Sequence, residues 1–174
     1  MELVKTYLVE KAGISADRII TMDLHAPQIQ AFFDVPVDHL DSSAILIPYI
    51  EQLRLPNLSF AAPDVGSTNR VREIASYFNA EMVICDKHRK RANEIASMVV
   101  IGDVTDKDII LVDDICDTGG TLVKSAALLK EKGARSVRAL ITHPVLSGKA
   151  YENIENSVLE ELVVCDTIPI KQQS

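Results

Sequence analysis

Short apolar runs alternate with amphipathic segments along the whole chain. Runs at Arg18–Leu24, Ser59–Ala62, Met82–Cys85, Met98–Ile101, Ile109–Val112, Val137–Thr142 and Leu162–Cys165 predict strands. Ile109-Ile110-Leu111-Val112 is apolar on both faces and largely β-branched. Such a strand belongs inside a sheet covered on both sides, which is usually parallel. Between the runs, Leu122, Ala126 and Leu129 recur at helical spacing, with Gly133 placed to end that helix. Val71, Ile74, Ala75 and Phe78 make a second stripe, and Leu3, Tyr7 and Leu8 before Gly13 a third. A fourth runs from Ala44 to Leu53 and contains Pro48, a residue that interrupts helices. The alternation predicts an α/β fold with a doubly wound, mostly parallel sheet. The segment Phe33-Asp34-Val35-Pro36-Val37-Asp38-His39 follows a strand–helix unit that looks incomplete alone, so a domain boundary is expected near residue 40.

Composition narrows the classes. A chain of 174 residues suits one domain, or one domain plus a piece of another. A net charge of −7 argues against sequence-independent nucleic-acid binding, which runs on Lys and Arg. Small phosphorylated ligands stay open, because they need only a local site. No apolar run approaches the roughly 18 residues of a membrane helix. Met1-Glu2-Leu3-Val4-Lys5 does not begin a signal peptide. Cys85, Cys116 and Cys165 form no Cys-x-x-Cys pair, which fits a reducing cytoplasm and argues against zinc or a disulfide scaffold.

In open α/β sheets, ligands bind beyond the carboxyl ends of strands. The residues that follow the expected strands are Asp23-Leu24-His25, Pro63-Asp64-Val65-Gly66-Ser67, Asp86 to Arg91, Asp113 to Thr121, and His143. Acids, bases and glycines thus gather at one edge. The strongest signal is Val112-Asp113-Asp114-x-x-Asp117-Thr118-Gly119-Gly120-Thr121. Glycines let backbone amides turn inward and let a phosphate come close. The helix N-terminus adds N–H donors and partial positive charge. Thr118 and Thr121 add hydroxyls, while Asp113 and Asp114 suit vicinal sugar hydroxyls, directly or through a metal. Together they describe a ribose-5-phosphate cradle. The plainer reading is a strand–turn–helix with Asp117 as N-cap. The double acid plus the Thr-Gly-Gly-Thr run outweighs it.

Val112–Thr121 resembles the phosphoribosyl-diphosphate loop of the type I phosphoribosyltransferase fold. Asp23 to Phe33 with Val37-Asp38-His39-Leu40, Lys87-x-Arg89-x-x-Ala92-Asn93-Glu94, and Thr142 to Gly148 are similar to segments of the ribose-phosphate diphosphokinase family. The resemblance runs from about Val4 to Ile168. It implies transfer of the diphosphoryl group of ATP to the 1-hydroxyl of ribose 5-phosphate, with Mg²⁺ and release of AMP. It implies Lys87 and Arg89 in the catalytic loop, with Arg89 also gripping phosphoryl oxygens. It implies ribose-5-phosphate contacts at Asp113, Asp114, Asp117, Thr118, Gly119, Gly120 and Thr121. It assigns metal to His25 and Asp64. Without it, Lys87 to Arg91 reads as a solvated basic stretch, and Asp23 equally as a cap for a helix beginning near Ala26.

Where the family has a serine before Pro-Asp and a second glycine after the first, this chain has Ala62 and Ser67. Family members are two similar domains. Residues 1–40 are therefore expected to be the end of the first domain, and 41–174 most of the second, with the chain inactive alone. Homo-oligomers, hexamers in the family, are expected, and neither nucleic-acid nor membrane partners. A non-catalytic regulatory subunit and a phosphoribosyltransferase that consumes the diphosphate are the alternatives.

Overall fold

The computed structural model describes residues 16–88 and 97–170. It divides into two compact units, Met1–Ala44 and Ile45–Ser174. The expected helix before Gly13 lies outside the described residues.

In the first unit, β1 (Ile19–Met22) runs parallel to β2 (Val37–Leu40), with Ile19 opposite Val37 and Met22 opposite Leu40. The sequence pattern missed β2, because Pro36 and the flanking acids mask so short a run. A 3₁₀ turn over Pro27–Phe32 joins the strands, with Pro27 at its first position, where no N–H is required. Asp23 does not cap this turn. It is buried, takes φ +42°, and accepts hydrogen bonds from the amide (3.1 Å) and hydroxyl of Ser42. The unit leaves Ile20 and Phe32 each 67% exposed.

α1 (Ser43–Leu53) starts at the unit boundary, its Ser43 amide bonded to Asp41 Oδ1 at 2.7 Å. Pro48 does lie inside it. Its missing N–H falls two residues into the ladder, where the intrahelical bond to the Ala44 carbonyl is lost. Then follow β3 (Leu58–Ala62), α2 (Thr68–Tyr77), β4 (Glu81–His88), β5 (Ser97–Ile101), β6 (Asp108–Cys116), α3 (Gly120–Glu131), β7 (Ser136–Pro144), α4 (Ala150–Glu155) and β8 (Glu161–Val164). The strand order is β5-β4-β3-β6-β7-β8. Every pair is parallel except β4–β5, where Ile84 faces Ile101 and His88 faces Ser97. Only residues 89–96 separate those two strands, fewer than the dozen or so that a parallel crossover needs.

Side-chain alternation gives each face of the sheet its own core. Phe60, Ile110, Val112 and Leu140 meet Leu46 and Ile50 of α1 and Val71 and Ile74 of α2. Ala61, Ile109, Leu111 and Ile141 meet Leu122, Ala126 and Leu129 of α3 and Ala150 of α4. Covered on both sides, β6 is buried from Asp108 through Val112, as its continuous apolar run requires. Truncating Leu111 to alanine would cost about 2–5 kcal/mol. After β3 the chain moves to β4 on one side, and after β6 to β7 on the other. The carboxyl ends of β3 and β6 therefore part at the point where the winding reverses, the place where such sheets bind ligands. Among the described residues, no helix is long and apolar enough to cross a membrane.

Candidate active site

Two loops leave that switch point. The first follows β3 and carries Asp64. Its Oδ1 accepts from the Ser67 amide at 3.2 Å, and the Ser67 hydroxyl donates to the Asp64 carbonyl at 3.1 Å. A Cβ on Gly66 would stand 3.2 Å from Asp64 Oδ1, so the turn has little room for a side chain there. From α3, the Ser125 hydroxyl donates to the Pro63 carbonyl at 3.3 Å. The carboxylate of Asp64 is thus set by its own turn and by the helix of the other loop. Thr68, which opens α2 just beyond, holds a buried hydroxyl with no hydrogen-bond partner among the described residues.

The second loop begins inside β6. Asp113 and Asp114 still lie within the strand, with Asp113 opposite Ile141, so β6 is longer at this end than its apolar run. Asp114 is buried, and its amide donates to Asp113 Oδ1 at 3.0 Å. Burial first, then the charges of Asp114 and Asp64, push the Asp113 carboxyl up to about 7. The three carboxylates concentrate negative charge where the two loops part. That potential suits a divalent cation or hydroxyl donors. Among the described residues, no three His, Cys, Asp or Glu side chains converge as a ready ligand set. A cation that takes most of its shell from water and phosphate oxygens, as Mg²⁺ does, needs none.

Asp117 is not the N-cap of α3. That position belongs to Gly119, in the left-handed region at φ +72°, and no side chain caps the helix. The Asp117 carboxylate instead accepts from the Ser147 hydroxyl. Gly119 presses on α4, since a Cβ there would lie 3.4 Å from Ile154 Cγ1. At Gly120 the nearest atom to a Cβ is Thr118 Oγ1 at 3.7 Å, so the fold itself does not demand glycine. A ligand seated there would. Burial, followed by the Asp113 charge, pushes the Cys116 thiol up to about 11, so it is a neutral core side chain at neutral pH.

The backbone of Lys87 lies near the end of β4, opposite Met98, and Arg89 lies outside the described residues. His25 is exposed in the first unit, just before the 3₁₀ turn. His143 is tied into the fold, its Nδ1 2.9 Å from Thr167 Oγ1, which donates to the Thr142 carbonyl. A cavity of about 340 Å³ lies elsewhere, lined by Leu146, Tyr151, Ile154 and Leu162 among others. It has none of the glycines or paired acids.

A doubly wound sheet with a glycine-opened helix and paired acids at its switch point defines a protein of the type I phosphoribosyltransferase-like fold. The adenine phosphoribosyltransferase of Thermoanaerobacter pseudethanolicus shares that fold, with a TM-score of 0.53 at 18% identity over 71% of this chain and 78% of that one. The phosphoribosylpyrophosphate synthetase of Mycobacterium smegmatis superposes with a TM-score of 0.85 at 35% identity, covering 97% of this chain and 54% of that chain. The ribose-phosphate pyrophosphokinase of Campylobacter jejuni is 55% identical over 166 residues, which is 95% of this chain and 53% of that protein. That of Porphyromonas gingivalis is 54% identical over 163 residues, 93% of this chain and 51% of that protein. The model of the phosphoribosyl synthetase-associated domain matches residues 67–174. The chain belongs to the phosphoribosyl synthetase-associated domain family. It spans about half the length of the curated relatives it matches.

Proposed function

We propose that this chain carries the ribose-5-phosphate half of a ribose-phosphate pyrophosphokinase. The complete protein transfers the diphosphoryl group of ATP to the 1-hydroxyl of ribose 5-phosphate and releases AMP. One observation carries the reading: a helix uncapped by any side chain opens from a left-handed glycine beside a pair of acids, one of them raised to about 7. The phosphate sits on the turn Asp117, Thr118, Gly119, Gly120 and Thr121, where amides and two hydroxyls can donate. Asp113 and Asp114 accept from the ribose hydroxyls, and their mutual repulsion eases when two donors arrive. Lys87 lies near the end of β4 and Arg89 just after it. As cations they neutralise charge on the group in flight, Lys87 as a point charge and Arg89 as a fork.

Mg²⁺, when bound with ATP, would supply positive charge to the diphosphate. Asp64 in the second unit and His25 in the first are the proposed protein donors. The oxygen of Asp64 suits that ion better than the imidazole of His25. The unit Met1–Ala44 is the end of a first domain, and the rest is most of a second. Supporting this, a two-stranded parallel sheet with exposed Ile20 and Phe32 cannot cover its own faces and fits as part of a larger sheet. The complete protein works in the cytoplasm as a homo-oligomer, a hexamer as in the family, and the chain alone is inactive.

Calorimetric titration of the chain with ribose 5-phosphate tests the reading. Binding is expected, and both Asp113→Ala and Gly120→Val should abolish it. A folded chain that takes up no ribose 5-phosphate would refute it.

A further inference from the structure

The outer side of the glycine loop is braced by the segment after β7. The Leu146 amide donates to the Cys116 carbonyl at 3.0 Å, and the Ser147 amide to the Asp117 carbonyl at 2.9 Å. Asn153 Nδ2, from α4, donates to the Thr118 carbonyl at 3.0 Å. Three successive carbonyls are therefore drawn to one side. In a trans peptide the C=O and the next N–H point in opposite directions. The amides of Asp117 and Thr118 are consequently turned away from the brace, and that of Gly119, in the peptide Asn153 holds, is directed to the Cys116 sulfur. The Ser147 hydroxyl, bonded to the Asp117 carboxylate, keeps that charge on the outside, off the anion's side of the turn. Ile154 closes the wall behind Gly119.

We propose that Ser147 and Asn153 are positioning residues for the phosphate. They touch no substrate; Ser147 orients the Thr118 amide through its own backbone and holds one carboxylate away from the anion through its hydroxyl, while Asn153 fixes the peptide between Thr118 and Gly119. This rests on the ribose-5-phosphate reading above. A backbone loop of two glycines and two threonines would otherwise sample many conformations, and ordering it would subtract from binding. The brace does that ordering beforehand.

Ribose 5-phosphate titrated into the chain by calorimetry, alongside ¹⁵N spectra of the free protein, decides the matter. Asn153→Ala should weaken binding about fivefold, the loss of one neutral hydrogen bond. Ser147→Ala should weaken it at least as much, and Ser147→Thr, which keeps the hydroxyl, should restore most of it. The amide resonances of Thr118 and Gly119 should move in both alanine variants before any ligand is added. Asn153 is half-buried and contributes a single neutral hydrogen bond, so the thermal midpoint should fall by no more than a few degrees. Should Asn153→Ala and Ser147→Ala bind as tightly as the wild type, the positioning role is wrong while the phosphate site stands. Should the wild type itself bind nothing, the site reading fails and takes the brace with it. If Ser147→Ala unfolds, Asn153→Ala and Ser147→Thr still decide.

Discussion

β6 carries an aspartate near each end, Asp108 buried and Asp113 half-buried, and the two live in opposite electrostatic worlds. At the amino end, Asp108 accepts from Arg135 Nε at 2.9 Å and from the Ser136 hydroxyl at 2.7 Å. The Arg135 hydrogen bond holds its carboxyl below the ordinary 3.8, against the opposing effect of burial. At the carboxyl end, Asp113 has other carboxylates for neighbours and rises to about 7. Same residue type, same strand, five positions apart. What differs is whether the fold supplies a counter-charge. Where it does, the acid is structural; where it leaves acids together, something from outside is expected to complete the site.

The largest break in that contrast should come from Asp108→Ala. It strands Ser136 and a half-exposed Arg135, and should cost about 2–3 kcal/mol after discounting for that exposure. Urea denaturation at pH 7 measures it, and a loss under 1 kcal/mol would mean the pair is ornamental.

Asp113→Asn should do the reverse and stabilise the chain by on the order of 2 kcal/mol at pH 8. The sign follows from proton linkage. A carboxyl raised in the folded state contributes fully below the unfolded value of 3.8, and that contribution drains away as pH climbs to about 7. The gap between variant and wild type should therefore open between about pH 4 and 7 and then stay flat. Asp108, depressed in the folded state, has the opposite limb: its contribution is present above 3.8 and is lost as pH falls through its folded value. Melting curves at a series of pH values separate the two, and equal profiles for the two variants would erase the distinction drawn here.

Smaller effects refine the carboxyl end. Gly119→Ala should cost about 1–2 kcal/mol, because φ +72° strains an L side chain and Ile154 stands at 3.4 Å. Gly120→Ala should change stability by less than about 0.5 kcal/mol yet weaken ribose 5-phosphate binding, since its surroundings are open in the fold. If both alanines cost the same stability, the separation between a glycine the fold needs and one the ligand needs is lost.

Much of the strand pattern was legible. Ile109 to Val112 reads as a doubly covered strand because no polar residue interrupts it, and it is one. The antiparallel β4–β5 pair was readable too, from too short a connection, but apolar runs say nothing about direction. The four residues of β6 beyond Val112 were hidden by composition, since Asp113 and Asp114 look like a loop until β7 pairs alongside this end of the strand. The helix α4 was missed because six residues give too few turns for a stripe. With it went Asn153, whose partner lies 35 positions earlier. Asp117 read as a cap from its place before the glycines, and only the hydroxyl of Ser147, 30 positions on, draws it outward.

From sequence alone came most of what is periodic or local: the alternation of strands and helices, the glycine pair, the adjacent acids. These depend on residue type and on neighbours within a turn, so a linear reading reaches them. Tertiary structure decided which aspartates meet a cation and which meet each other, and which glycine is strained. It also decided which carbonyls of the loop are held from behind. Such properties arise from groups brought together across the sheet, at distances that spacing along the chain does not encode.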